Sequence, residues 1–295
     1  EMSLEEKALQ LTQFPSHELD DNQEKIVTGF SHLGSVERES LWRIGTILNA
    51  PNAEAVQSIR KKRKEKGIDD PLPIMLDVIH GYRTVYPVPV ALSCSFDTSL
   101  IEDCAELAAT EAKYDGIDVT FSPMVDLVRD ARWGRVMESG GEDPYWGGEV
   151  GKATIRGYHK GGIACCVKHF AGYGAAEAGK EYNTTDISDR NLREYYLRPY
   201  RECLKENPEM FMSSFNLLNG KPILGHKDIM VDMLRKEWGF DGVVISDYSS
   251  VEELYEHGYC ATGEDCARVS IESGLDIEMG STVYAGLLPK LVREG

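Results

Sequence analysis

Val243-Val244-Ile245-Ser246-Asp247-Tyr248 is the stretch that decides the fold. It follows a turn built from Gly239 and Asp241-Gly242, and its β-branched residues read as a buried parallel strand. Asp247 stands where that strand leaves the sheet. In barrel enzymes, residues at the C-terminal ends of strands carry the chemistry. A local reading competes, in which Asp247 is the N-cap of a helix over residues 249–255.

Outward from this strand, apolar runs alternate with amphipathic helices. Further strands read at residues 73–77, 117–122, 163–169, 210–216 and 275–279. Helices read at 100–114, 148–160, 190–206, 226–238, 265–272 and from 287. Gly161-Gly162 ends one helix and Asn207-Pro208 another. Ser3 with Glu6 three residues on forms a capping box at the first helix. Repeated β-then-α order implies a parallel sheet with right-handed crossovers. Some seven such units in 295 residues fit an α/β (β/α)8 barrel of the TIM type spanning 1–295. Irregularity is expected at its first strands, where the signal is weakest. A Rossmann reading needs a Gly-rich turn directly after the first strand. The strand at 73–77 instead ends in Asp77, and a glycine comes only after His80. No linker or low-complexity segment divides the chain.

The formal net charge of −17 argues against a nucleic-acid or anionic-membrane partner. The basic cluster from Arg60 to Lys66 reads as a solvated helix face. No apolar run is long enough to cross a bilayer. The start shows no signal region, so a cytoplasmic location is expected; a secreted form already trimmed would look the same. Seven cysteines without framework spacing read as reduced thiols. Cys165 and Cys166 should point to opposite faces of their strand. With no CxxC or HxxxH pair, no metal site is expected, and no cofactor. Asn183-Thr184-Thr185 is a glycosylation sequon without meaning in the cytoplasm.

The strand ends carry Asp77, then Lys168 and His169, then Phe215-Asn216, then Asp247. In a closed barrel these converge on one face. The long loop after Ser122 adds Arg129, Arg135 and Glu138. Two strand-end carboxylates, a lysine and a histidine, with the arginines and glutamate of the loop, suit a neutral polyhydroxylated ligand, because charge-assisted bonds to hydroxyls are strong. Trp133, Trp146, Phe215 and Tyr248 offer faces for pyranose C–H groups. Each residue also has a plainer role. Asp77 could cap its own turn, His80 could brace its loop, and Arg135 with Glu138 could form a local ion pair. Glu142-Asp143-Pro144 reads as a structural turn. Lys168 follows five apolar residues, so its ammonium is buried and needs an anion. His169 beside it would face the opposite side unless the strand is bulged or twisted.

These segments resemble the N-terminal barrel domain of glycoside hydrolase family 3, the β-glucosidase and β-xylosidase family. The matching motifs are Ser3-Leu4-Glu5-Glu6-Lys7, Asp77-Val78-Ile79-His80-Gly81, Arg129-Asp130-Ala131-Arg132-Trp133-Gly134-Arg135, Glu138-Ser139 and Val167-Lys168-His169-Phe170. Glu142-Asp143-Pro144-Tyr145, Arg190-Asn191-Leu192-Arg193-Glu194, Met212-Ser213-Ser214-Phe215-Asn216, Trp238-Gly239-Phe240 and Val243 through Tyr248 complete the set. The resemblance implies a retaining exo-β-glycosidase, most simply a β-glucosidase, with Asp247 as nucleophile. The alternatives are a β-xylosidase or mixed-specificity enzyme, or a sugar-binding domain without catalysis. It also implies that Asp77, Arg135, Lys168 and His169 hold the first sugar, with Glu138 and Met212 close by and Tyr248 lining the next subsite. Phe215 stands where many relatives carry Tyr. Lys168 and Arg135 would depress the pKa of Asp247.

A retaining enzyme needs a second carboxyl as acid/base. Larger family members take this Glu from a C-terminal domain. Single-domain members use an Asp-His pair on the loop after the Lys-His motif. That loop holds Glu177, Lys180, Glu181, Tyr182 and Asp186, with no histidine between His169 and His226. The chain is therefore expected to be a fragment, or one of several chains, of a larger enzyme. A second domain, an α/β sandwich, would supply the Glu and complete the site for a β-linked glucoside or oligosaccharide.

Overall fold

The computed structural model describes residues 2–19 and 36–295. Eight parallel strands close into a barrel: β1 Thr12–Pro15, β2 Thr46–Leu48, β3 Ile74–Leu76, β4 Val119–Thr120, β5 Ala164–Phe170, β6 Met210–Ser213, β7 Val243–Tyr248 and β8 Ile277–Met279. Each pairs in parallel with its neighbours in sequence, and β8 closes on β1. A small hairpin, Leu217–Leu218 with Lys221–Pro222, stands apart.

Strand periodicity sorts the apolar residues into two layers. Leu48, Met75, Val119, Cys166, Met210, Met212, Ile245 and Met279 fill the barrel interior with Phe121. Their sequence neighbours Ile47, Ile74, Cys165, Val167, Phe211 and Val244 face the surrounding helices. Cys165 and Cys166 thus lie on opposite faces, as adjacent residues of a strand must. Burying one such aliphatic side chain contributes about 1.5–3 kcal/mol relative to exposure.

The structure departs from the sequence reading in three places. β1 and β2 were not legible as strands, being four and three residues long. They pair regularly, Gln13 with Thr46 through Pro15 with Leu48. The irregularities fall instead between β5 and β6 and between β7 and β8. The helix expected at 190–206 is broken into Asp189–Asn191, a wide π-type turn Leu192–Tyr196, and Arg198–Cys203. Pro199 accounts for the break, because it has no N–H to give to the preceding turn and its ring crowds the carbonyl there.

The Ser3 capping box is present. Asp143 caps helix Pro144–Gly161, accepting from the Trp146 N–H at 2.7 Å. That helix lies close against Thr98–Tyr114, and only glycine fits at 157: a Cβ there would sit 2.3 Å from the Glu102 carbonyl oxygen.

Candidate active site

Strand parity builds the site. Two residues beyond an inward side chain, the next inward one follows: Asp77 after Met75, Lys168 after Cys166, Met212 after Met210, Asp247 after Ile245. Above the apolar layer these open into a cavity of about 370 Å³. All eight strands or their ends line it, with Pro15, Leu48, Asp77, Phe121, Lys168, His169, Met212, Asp247, Tyr248 and Met279. Arg135 and Glu138 reach it from the loop after β4. His169 has the wrong parity for this face. The β5–β6 register shifts between Val167 and Phe170, and His169 lines the cavity beside Lys168.

Lys168 is buried, and its Nζ donates to Asp77 Oδ1 at 2.6 Å. Asp77 is therefore the anion that the buried ammonium requires, not a cap of its own loop. Arg135 donates to Glu138 through Nε at 2.8 Å and Nη2 at 2.9 Å. The local ion pair and the cavity wall are the same two residues. Burial works against the Glu138 carboxylate, yet Arg135 outweighs it and holds the group below its ordinary range.

Asp247 is buried at the centre. Its Oδ1 accepts from the Tyr248 N–H at 2.7 Å. Oδ2 has no hydrogen-bond partner among the described residues, although His169 Nε2 lies 3.4 Å away. A buried carboxylate oxygen without a bond is costly and calls for an explanation, which a ligand in the cavity would give. Asp247 does not cap the next helix: Ser249 precedes Ser250–Glu256 in the left-handed region, with no side-chain cap. Arg135 and Lys168 lower its pKa as expected, but they do not set the net direction. Burial dominates and pushes the carboxyl up to about 6, while Arg135, the Tyr248 N–H and Lys168 pull the other way.

His169 is held from behind. Its Nδ1 lies 2.8 Å from Asp126 Oδ2, which also accepts from the His169 backbone N–H at 2.9 Å. Tyr200 donates to Asp126 Oδ1 at 2.7 Å. Burial, then Arg135 and Lys168, keep the imidazole neutral by holding its pKa well down. Burial pushes Asp126 up to about 7. The Asp126 contact assigns the ring proton to Nδ1 and leaves Nε2 an acceptor facing the cavity. Asp126 was missed in the sequence, although a carboxylate closing the run Ser122-Pro123-Met124-Val125 was a signal of the same kind as Asp247.

Other candidates lie elsewhere. Phe215 does not line the cavity; its ring packs on Tyr182 and Tyr173. Tyr173 in turn stands under Arg135, edge-on to His169, and donates to Glu181. Trp133 is buried against Tyr173, and Trp146 stacks on Phe96. Asn216 donates to Thr185 at 3.2 Å inside the protein. His80 braces its loop through the Tyr86 carbonyl. Arg129 is not a cavity residue.

The closed barrel and its polar cavity define the class: an α/β-barrel protein with its functional face at the C-terminal ends of the strands. The chain belongs to the family described as Glycosyl hydrolase family 3 N terminal domain, whose model matches residues 3–295. It is similar to a periplasmic beta-glucosidase of Salmonella typhimurium, 36% identical over 260 residues, covering 86% of this chain and 34% of that protein. A probable exo-1,4-beta-xylosidase of Aspergillus terreus is 32% identical over 235 residues, covering 73% and 30%. The crystal structure of beta-glucosidase from Listeria innocua in complex with isofagomine superposes with a TM-score of 0.94 at 41% identity, covering 100% of this chain and 42% of that one. The chain thus spans about a third of these curated relatives.

Proposed function

We propose that the chain is the nucleophile-bearing barrel of a retaining exo-β-glycosidase, most simply a β-glucosidase. Asp247 carries the reading: among the described residues it is the cavity carboxylate with a buried oxygen free of hydrogen bonds. That oxygen attacks the anomeric carbon, the C–O bond to the leaving group breaks, and a glycosyl-enzyme forms. Water then attacks the same carbon and returns the carboxylate. The Lys168–Asp77 and Arg135–Glu138 pairs and His169 Nε2 offer donors and acceptors to the hydroxyls of one pyranose. The apolar layer closes the cavity floor, which favours a terminal sugar over the middle of a chain.

The acid/base comes from another part of the protein. Among the described residues, the other cavity carboxylates are Asp77 and Glu138, and both are held by cations. A general acid needs the opposite, a raised pKa; Glu253 has one, pushed up to about 8 by burial and by the Asp247 charge, but it does not line the cavity. A Glu from a second domain, expected as an α/β sandwich, fills this role. The seven unpaired cysteines support a reducing, cytoplasmic setting.

The experiment is covalent labelling of the whole protein with a 2-deoxy-2-fluoro glucosyl donor. The expected mass shift falls on the peptide holding Asp247, and an unlabelled peptide overturns the reading. The xylosidase relatives favour a second specificity. The ratio of kcat/KM on aryl glucoside and aryl xyloside separates the two. Glucose binding without any turnover would indicate a sugar-binding domain instead.

A further inference from the structure

The opposite end of the barrel brings together three donors of different kinds. His159 lies in the last turn of helix Pro144–Gly161, Cys165 at the start of β5, and Glu209 just before β6. His159 Nε2 is 3.2 Å from Glu209 Oε2 and 3.9 Å from Cys165 Sγ, and the three donor atoms all lie within 4.8 Å of one another. We propose that His159, Cys165 and Glu209 form a zinc site.

The spacing suits the ion. With Zn–S near 2.3 Å and Zn–N and Zn–O near 2.0–2.1 Å, a tetrahedron has S···N edges of about 3.5 Å and N···O edges of about 3.3 Å. The observed distances differ from these by a few tenths of an ångström. One nitrogen, one sulfur and one oxygen donor are all ligands that zinc accepts. The carboxylate is already oriented, since Glu209 Oε2 accepts the Cys165 backbone N–H at 3.0 Å. The His159 and Glu209 side chains are 32% and 47% exposed, which leaves the ion a path in and a fourth position for water. On binding, the Cys165 thiol releases its proton to solvent as the S–Zn bond forms, and His159 binds through a lone pair on Nε2 with its ring proton on Nδ1. The ion would tie the end of one helix to the starts of two strands. This site is separate from the sugar cavity, at the face where barrels hold stability rather than chemistry.

The test uses the full chain, stripped by chelator and titrated with Co²⁺ as the spectroscopic probe and then with Zn²⁺. The expected result is a thiolate-to-cobalt charge-transfer band that Zn²⁺ displaces. His159→Gln and Cys165→Ser should each abolish it, and Zn²⁺ should raise the melting temperature of the unsubstituted protein only. His159 is half-exposed, so its variant keeps the test meaningful even where substitution of the buried cysteine impairs folding. Absence of the band, or its persistence in either folded variant, overturns the proposal.

Discussion

The two ends of the barrel use carboxylates in opposite ways. At the N-terminal end, three acidic residues repeat one arrangement. Asp118, just before β4, accepts the Ile74 N–H of β3 at 2.9 Å and pairs with Arg60. Glu209, before β6, accepts the Cys165 N–H of β5 and pairs with His159. Asp276, before β8, accepts the Val244 N–H of β7 at 2.7 Å and pairs with Arg235. Their side chains are 45%, 47% and 44% exposed, so water screens all three alike. At the C-terminal end, Asp126 and Asp247 are buried, and both have pKa values pushed up by that burial. The wet end satisfies each charge and gains only stability. The dry end holds charge at a cost, and that cost is the mark of a site.

The largest effect should come from Asp247→Asn. Loss of the proposed nucleophile should lower kcat/KM for an aryl glucoside by about 10³-fold or more, or at least about 4 kcal/mol in barrier. The same change should stabilise the fold. A rise from 3.8 to about 6 means that the native state binds this proton more tightly than the unfolded chain. The associated stability is present below the unfolded pKa and is lost as pH rises through the folded one, about 3 kcal/mol in all. The amide escapes that loss, and its NH2 can donate to His169 Nε2. Urea denaturation at pH 7 should show a higher midpoint for the variant, and a lower one would contradict the desolvated carboxylate.

Breaking the Lys168–Asp77 pair should be asymmetric. Asp77→Ala strands a buried ammonium and should cost about 3 kcal/mol. Lys168→Met leaves a half-exposed carboxylate that water can solvate, and an apolar stem where the lysine was buried. It should cost clearly less in the same urea experiment, although both variants should raise KM. Equal costs would mean that the ammonium reaches water after all.

A smaller effect belongs to pH. In the proposed mechanism attack requires ionised Asp247, so kcat/KM should fall tenfold per unit below about pH 6. Arg135 is the strongest of the groups opposing burial, so Arg135→Gln should move this acid limb to higher pH. A limb near pH 4 in the unsubstituted protein would remove burial as the controlling influence.

Much of this contrast was legible before the structure. The strand ending in Asp247 and the burial of Lys168 both follow from an apolar run closing in a charge, and parity carries each inward. What could not be read has physical reasons. Thr12–Pro15 and Thr46–Leu48 are too short to show a period, and only barrel closure makes them strands. His169 joins the cavity through a register shift that no sequence pattern encodes. The sign of the Asp247 shift depends on depth, whereas the sequence offers only neighbouring charges. The three N-terminal carboxylates precede strands that pair with the strands whose N–H groups they accept, a relation set by topology and not by spacing.

The smallest effect tests that repeated arrangement. Asp118→Asn keeps an oxygen for the Ile74 N–H and removes only the charge facing Arg60, so it should cost about 0.5 kcal/mol, as exposed ion pairs do. Asp118→Ala also removes the acceptor at the start of β3 and should cost about 1–1.5 kcal/mol. Water can reach this rim, which is why the larger figure stays modest. In 1 M salt, where the screening length falls to about 3 Å, the cost of the asparagine variant should vanish while that of alanine persists. Both should leave kcat/KM unchanged, because the residue lies at the far end of the barrel from Asp247. An altered kcat/KM in Asp118→Asn would show that the two ends are coupled through the strands, and the division of labour between them would fail.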